Sequence, residues 1–340
     1  MRKILNYAVP PIKCYLHHAF PLGVFWNEND LNIMNWFCLN YNYVIAGTGP
    51  LDYVYTFLIN QSSVPFIQRR EIYGDELEKY LVKHSFSTLV NEAIDNGNLV
   101  EVMADMFYMP QSRVYKEQHL MHEILILGYD DEKETYIIRD YVNHVFEEFE
   151  VLQSQVVPFE NCSYYGDDIV MKLYRKRNNY FPFDIRSFLI QINDYYESIN
   201  PFYRFSCVHG TYFEPWEKIF GMEVFNKIIG DFKKVELIDY RPIRLIQEHF
   251  DSMKVKLRYI QKENYLNSTC LVSLISYYEN AAVKAEMIVR LAVKQTMVSY
   301  DKRKEIKQRI LIQLEELVNS ERNILKSFLE NVYSDDFIES

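Results

Sequence analysis

Between residues 99 and 140 the hydrophobic pattern passes from mixed to solid and back again. Leu99 to Asp105 is rich in strand formers. Ile124-Leu125-Ile126-Leu127 is apolar at every position, as expected for a strand buried on both faces. Gly128 to Lys133 reads as a turn, and Thr135 to Asp140 as a returning strand. Asp168 to Tyr174 alternates with period two and predicts a further strand. Near the start, Cys14 to Phe20 predicts a short helix stopped by Pro21, and residues 29–45 mix a helical turn with a strand. Gly47-Thr48-Gly49-Pro50 is a turn without the glycine spacing of a phosphate loop. One helix is expected from Gly74 to Asn96, with Leu77, Tyr80, Leu81, Leu89, Val90 and Ile94 inward and Asn96-Gly97 as its left-handed stop.

After the charged break at Arg175 to Asn179 the period becomes helical almost throughout. Phe188, Leu189, Ile192 and Tyr195 share a face before Pro201. A long helix follows from about Leu271 to Met297. Asp301 is placed to cap another, whose apolar stripe runs through Ile306, Ile310, Leu314, Leu317, Ile324 and Phe328. Strands before the break and helices after it predict an α+β chain with domains over 1–177 and 178–340.

Composition sharpens this picture. At 340 residues and 49% hydrophobic, the chain can bury two cores. A formal charge of −10 argues against a nucleic-acid binder. Five cysteines (14, 38, 162, 207 and 270), scattered without a CxxC pair, point to reduced thiols in a cytoplasm and away from a disulfide framework or a zinc site. The first residues lack the apolar run of a signal peptide, and no window reaches transmembrane length. A soluble cytoplasmic protein with no metal or cofactor of its own is the expectation.

The candidate chemistry centres on Cys14, His122 and Asp140. A hairpin of the predicted form sets His122, opening one strand, beside Asp140, closing the next. An imidazole oriented by a carboxylate is half of a nucleophilic triad, and a thiol at a helix start is the missing half. The order Cys, His, acid is that of papain-like folds. The plain alternative is a core histidine beside a turn carboxylate, with Cys14 a small buried hydrophobe. His119 and His122 share a face only if helical, so they do not read as a metal pair. Asp105, with Tyr108 and Tyr115 nearby, can bind a substrate amine or cap a turn; the binding role is preferred.

The same residues carry a resemblance. Cys14, the Trp36-Phe37 patch, Val102-x-x-Asp105-x-Phe107-Tyr108-x-Pro110, Tyr115, His119, His122, Gly128-Tyr129-Asp130 and Asp140 resemble the N-terminal domain of the butirosin biosynthesis protein H family. These are papain-like cysteine acyltransferases. Arg241 and Gln247-Glu248-His249 ahead of long helices also fit that layout. The resemblance implies that Cys14 receives an acyl or aminoacyl group from a carrier-protein thioester, with His122 as base and Asp140 as its orienter. Asp105, Tyr108, Tyr115 and His119 would bind substrate. The acyl group would pass to an amine or to water in a nonribosomal-peptide or polyketide pathway, the phosphopantetheine arm belonging to the carrier. Two departures stand out: Pro21 shortens the helix after Cys14, and no Gln precedes Cys14, leaving its own N–H and Asn6 as oxyanion donors. A cysteine peptidase or amidase using the same three residues, and a non-catalytic interaction protein, are the alternatives. On so acidic a chain, carrier docking needs a local basic patch. Arg69-Arg70, Arg175-Lys176-Arg177 and Lys302-Arg303-Lys304 are available, and the second is the choice. A homodimer is compatible with the sequence.

Overall fold

In the computed structural model, residues 1–47, 55–57, 64–158, 169–201, 218–266 and 269–334 are described. Cys162, Cys207 and most of the turn at Gly47 to Pro50 lie outside them. The elements in order are β1 (Arg2–Ile4), α1 (Leu16–Phe25), α2 (Leu31–Cys38), β2 (Val44–Gly47), β3 (Tyr55–Phe57), β4 (Ile67–Tyr73), α3 (Gly74–Leu81) and α4 (Phe86–Asp95). Then come β5 (Leu99–Asp105), β6 (Met121–Asp130), β7 (Thr135–Val142), β8 (Val145–Leu152), β9 (Ile169–Lys176) and α5 (Ile185–Glu197). The chain finishes with β10 (Lys218–Phe220), α6 (Met222–Lys234), α7 (Tyr240–Lys262), α8 (Thr269–Gln295) and α9 (Tyr300–Ser334). An antiparallel sheet with helices dominant toward the C-terminus is an α+β arrangement. No helix among the described residues is long and apolar enough to cross a membrane.

The chain divides into two units that are not contiguous halves. Residues 1–27 and 61–179 form the first, and 28–60 with 180–340 the second. The sequence reading of domains 1–177 and 178–340 assigns the segment 28–60 differently.

The first unit is built on the sheet β4-β9-β5-β6-β7-β8, antiparallel throughout. Beyond the last β5 pairing, β1 takes over the flank of β6, with Ile4 opposite Gly128. A Cβ on Gly128 would overlap the Lys3 carbonyl oxygen, so only glycine admits this strand. Val100, Val102, Ile124, Ile126 and Ile138 pack with Leu77 of α3 and with Val90, Ala93 and Ile94 of α4. The single helix expected over 74–96 is two. Residues 82–85 break it, and the Ser85 hydroxyl accepts from Thr88 N–H to start α4. Leu81, expected inward, is exposed. The stop at Gly97 is left-handed, with φ +77°.

Pro21 does not stop the first helix. α1 runs from Leu16 through Pro21 to Phe25, and nearly every residue in it is buried. The proline forfeits one N–H bond to His17, a loss outweighed by packing on all sides. The Tyr7 ring lies against Gly23 and donates its hydroxyl to the Ala19 carbonyl at 2.8 Å.

The second unit pairs β10, β2 and β3 in a small sheet and gathers α2 and α5–α9. Helices α7, α8 and α9 pack in sequence. Asp30 and Asp184 cap α2 and α5 through backbone N–H groups of their first turns. Asp301 lies inside the first turn of α9, which begins at Tyr300, two residues earlier than a cap at Asp301 requires.

Candidate functional site

Strand β6 carries His122 opposite Ala104 of β5. On its other flank β7 brings Asp140 within reach, and His122 Nε2 lies 3.2 Å from Asp140 Oδ1. The Asp140 side chain is only 3% exposed, whereas the imidazole is 39% exposed, so the carboxylate is fixed and the ring is accessible. The Tyr141 N–H donates to the same Oδ1 at 2.6 Å and fixes the carboxylate further. Burial disfavours the charged ring, but Asp140, by charge and hydrogen bond, overrides it and raises the His122 pKa above its ordinary value. An accessible imidazole held by a buried carboxylate can take and return a proton.

Cys14 lies one residue before Tyr15, the N-cap of α1, and so just outside the helix instead of in its first turn. The thiol is partly buried. Its segment is anchored by a bond from Tyr141 Oη to the Lys13 carbonyl, at 2.7 Å. The residue before Cys14 is thereby tied to the residue after Asp140.

A second imidazole stands on the approach to β6. His119 Nδ1 lies 2.6 Å from Asp105 Oδ2, and the ring stacks on Phe107 at 4.3 Å. Tyr108 meets it edge-on. Both oxygens of Asp105 are engaged, for Oδ1 accepts from the N–H of Phe107 at 3.0 Å and of Leu120 at 3.4 Å. The carboxylate thus closes the turn and orients His119. Tyr115 is partly buried, with the Lys116 ammonium over its ring. Asn6 is exposed.

A buried polar cluster beside the dyad escapes a motif search. Glu101, in the middle of β5, accepts from Lys172 Nζ and, at 2.8 Å, from Tyr174 Oη. Glu123, next to His122, lies within electrostatic reach of that pair and of Asp140, and burial raises its pKa. His17 of α1 also feels Glu101 and Lys172, though burial dominates and takes its pKa down to about 4. The signal was legible as charged residues inside two strands, in Leu99-Val-Glu-Val and in Val-Met-Lys-Leu173. Among the described residues no three His, Cys, Asp or Glu side chains are gathered to hold a metal ion.

The basic segment chosen for docking is tied into the first unit. Arg175 donates to the Asn96 carbonyl and Arg177 Nε to the Pro65 carbonyl at 2.8 Å, both at the surface.

Residues 47–141 match the family model described as butirosin biosynthesis protein H, N-terminal. The matched segment holds Asp105, His119, His122 and Asp140, and it begins after Cys14. No curated protein matches the chain.

Proposed function

On the premise of that match, we propose that the protein is a thiol acyltransferase with a papain-like first domain, acting in antibiotic or related secondary-metabolite biosynthesis. The observation that carries the reading is the His122–Asp140 dyad, lying within the matched segment and tied through Tyr141 to the residue before Cys14. Cys14 sulfur attacks the carbonyl carbon of a carrier-bound thioester while His122 takes the thiol proton. His122 then protonates the departing pantetheine sulfur, leaving the acyl group on Cys14. Asp140 keeps the imidazole oriented and supports its charge. An amine then takes the acyl group, and water is the competing acceptor. The carrier, with its phosphopantetheine arm, docks at Arg175 to Arg177, where charge reversal slows association and weakens its salt dependence.

The test is intact-protein mass spectrometry after exposure to acetyl and β-alanyl thioesters of N-acetylcysteamine. An increment on Cys14, absent in Cys14→Ala, is the expected result; no adduct, or one on another cysteine, would sink the reading. Iodoacetamide near neutral pH should label Cys14 ahead of Cys38, whose thiol burial pushes up to about 12.

A further inference from the structure

A cavity of about 630 Å³ opens in the first unit between the sheet and helices α3 and α4. That is the size of a small-molecule site. Its floor is apolar, made by the buried side chains of Ile72, Leu77, Ala93 and Leu173. One wall is cationic. In the β4–β9 ladder Gln68 faces Arg175 and Arg70 faces Leu173, so the two arginines are diagonal neighbours on one face of the sheet. Long side chains reach across such a diagonal, and like charges placed there repel. Arg70 is answered by Glu76 Oε1 at 2.5 Å. Arg175 has no carboxylate among the described residues; it donates to the Asn96 carbonyl, and its other N–H groups find no acceptor there. The Gln68 side chain likewise has no hydrogen-bond partner among the described residues. On the opposite wall Lys79 is paired with Asp75, and Glu92 accepts from Tyr80 Oη at 3.1 Å. The lining thus sets three cations (Arg70, Lys79, Arg175) against two carboxylates (Glu76, Glu92), on a chain whose net charge is −10.

We propose that this cavity binds a small molecule that joins an apolar body to one carboxylate. The body covers the aliphatic floor. The carboxylate takes the unused N–H groups of Arg175 in a two-bond fork, with the Gln68 amide beside it. An anion in that place also screens Arg175 from Arg70. One spare positive charge matches a single carboxylate better than a phosphate dianion, because Glu76 and Glu92 face the same space. The site does not depend on the acyl-enzyme reading. Tyr174, next to Arg175, pairs with Leu99 where β5 opens, whereas His122 pairs with Ala104 near its close. The two places are roughly 17 Å apart along the strand, so the carboxylate is a second ligand and not the acyl donor.

The test is titration calorimetry on the full chain, with 3-phenylpropionate and octanoate as probes. Their amides, 3-phenylpropanamide and octanamide, carry the apolar body alone; acetate and inorganic phosphate carry the charge alone. Both carboxylates should bind saturably at one per chain, and the four controls about tenfold more weakly or worse. Arg175→Gln should weaken the carboxylates about tenfold or more. Leu89→Trp, which fills the cavity from α4, should do the same by exclusion. Arg177→Gln removes an equal charge from outside the lining and should leave the affinity unchanged. Circular dichroism of each variant without ligand shows whether it is folded, and the two weakening variants do not depend on each other. No saturable binding of either carboxylate would overturn the inference, as would equal binding of the amides or full affinity in both weakening variants. Phosphate binding as tight as the carboxylates would also overturn it, leaving a plain anion site. A loss shared by Arg177→Gln would mean that surface charge, not this cavity, holds the ligand.

Discussion

Each unit of the molecule pairs a histidine with a buried carboxylate, and His122–Asp140 in the first differs from His249–Glu321 in the second in almost everything but chemistry. In the first unit His122 meets Asp140 at 3.2 Å with its ring 39% exposed. In the second, His249 Nε2 meets Glu321 Oε1 at 2.7 Å with side chains 1% and 0% exposed. Glu321 also accepts from Tyr278 at 2.9 Å and Tyr195 at 3.1 Å, and the Tyr195 ring stacks on His249. Burial and the Glu321 charge push both phenol hydroxyls well above their ordinary range. The helical network joins α5, α7, α8 and α9 and admits no solute. Pairing with a carboxylate therefore does not by itself mark a reactive histidine; access of the second nitrogen does.

Breaking the sealed pair should have the larger energetic effect. Glu321→Ala leaves buried hydroxyls and an imidazole without their acceptor and should cost about 3–5 kcal/mol in urea unfolding, while acylation of Cys14 in the protein that remains folded is unchanged. A loss below about 1 kcal/mol would mean that the network does not tie the helices together. His122→Ala should do the reverse, lowering thioester turnover about a hundredfold or more with little change in the unfolding midpoint, since the ring is partly exposed. A midpoint that falls while turnover holds would assign this histidine to packing.

Asp140→Asn sharpens the contrast through titration. With the folded His122 pKa raised above the ordinary 6.5, its charged form stabilises the fold at pH below the unfolded value. That contribution is lost as pH rises through the folded value. The asparagine variant should lose this pH dependence, and the His122 ring proton resonance should titrate at lower pH than in wild type. An unmoved titration would mean that Asp140 does not govern the ring. A separate handle on the second unit is Lys256, which donates to the Asn40 carbonyl at 2.7 Å and Asn42 Oδ1 at 2.6 Å. Burial lowers its pKa to about 7, so the unfolded chain binds the extra proton from there up to the ordinary lysine range, and folding stability gains with pH in that window. The difference in unfolding free energy between wild type and Lys256→Met should therefore widen in favour of wild type from pH 6.5 to pH 9. A pH-independent difference would be inconsistent with a depressed lysine.

Strands β5, β6 and β7 were legible because their apolar runs are long and bounded by turn residues. The same pairing of strands makes the His122–Asp140 contact readable in the sequence. Local rules failed where packing overrides them, as with Pro21 inside a helix buried on every side. They also failed over 74–96, where the apolar period continues across a break that only the Ser85 cap reveals. Glu321 was hidden in plain view. It occupies a core position of the α9 stripe between Leu317 and Leu325, and a carboxylate there demands buried partners. No periodicity argument could supply those partners, which come from three other helices.

The interleaving of the units has a consequence for how the protein is made. Residues 28–60 leave the ribosome early, yet Ile33, Trp36, Phe37 and Tyr43 are buried in a unit whose remaining residues begin at 180. Synthesis at about 5–20 residues per second leaves that apolar segment waiting several seconds for its partners. The nascent chain therefore passes through an interval in which it presents a surface suited to a chaperone. A polypeptide ending near residue 177 would remain in that state permanently, and aggregation on release is its expected fate.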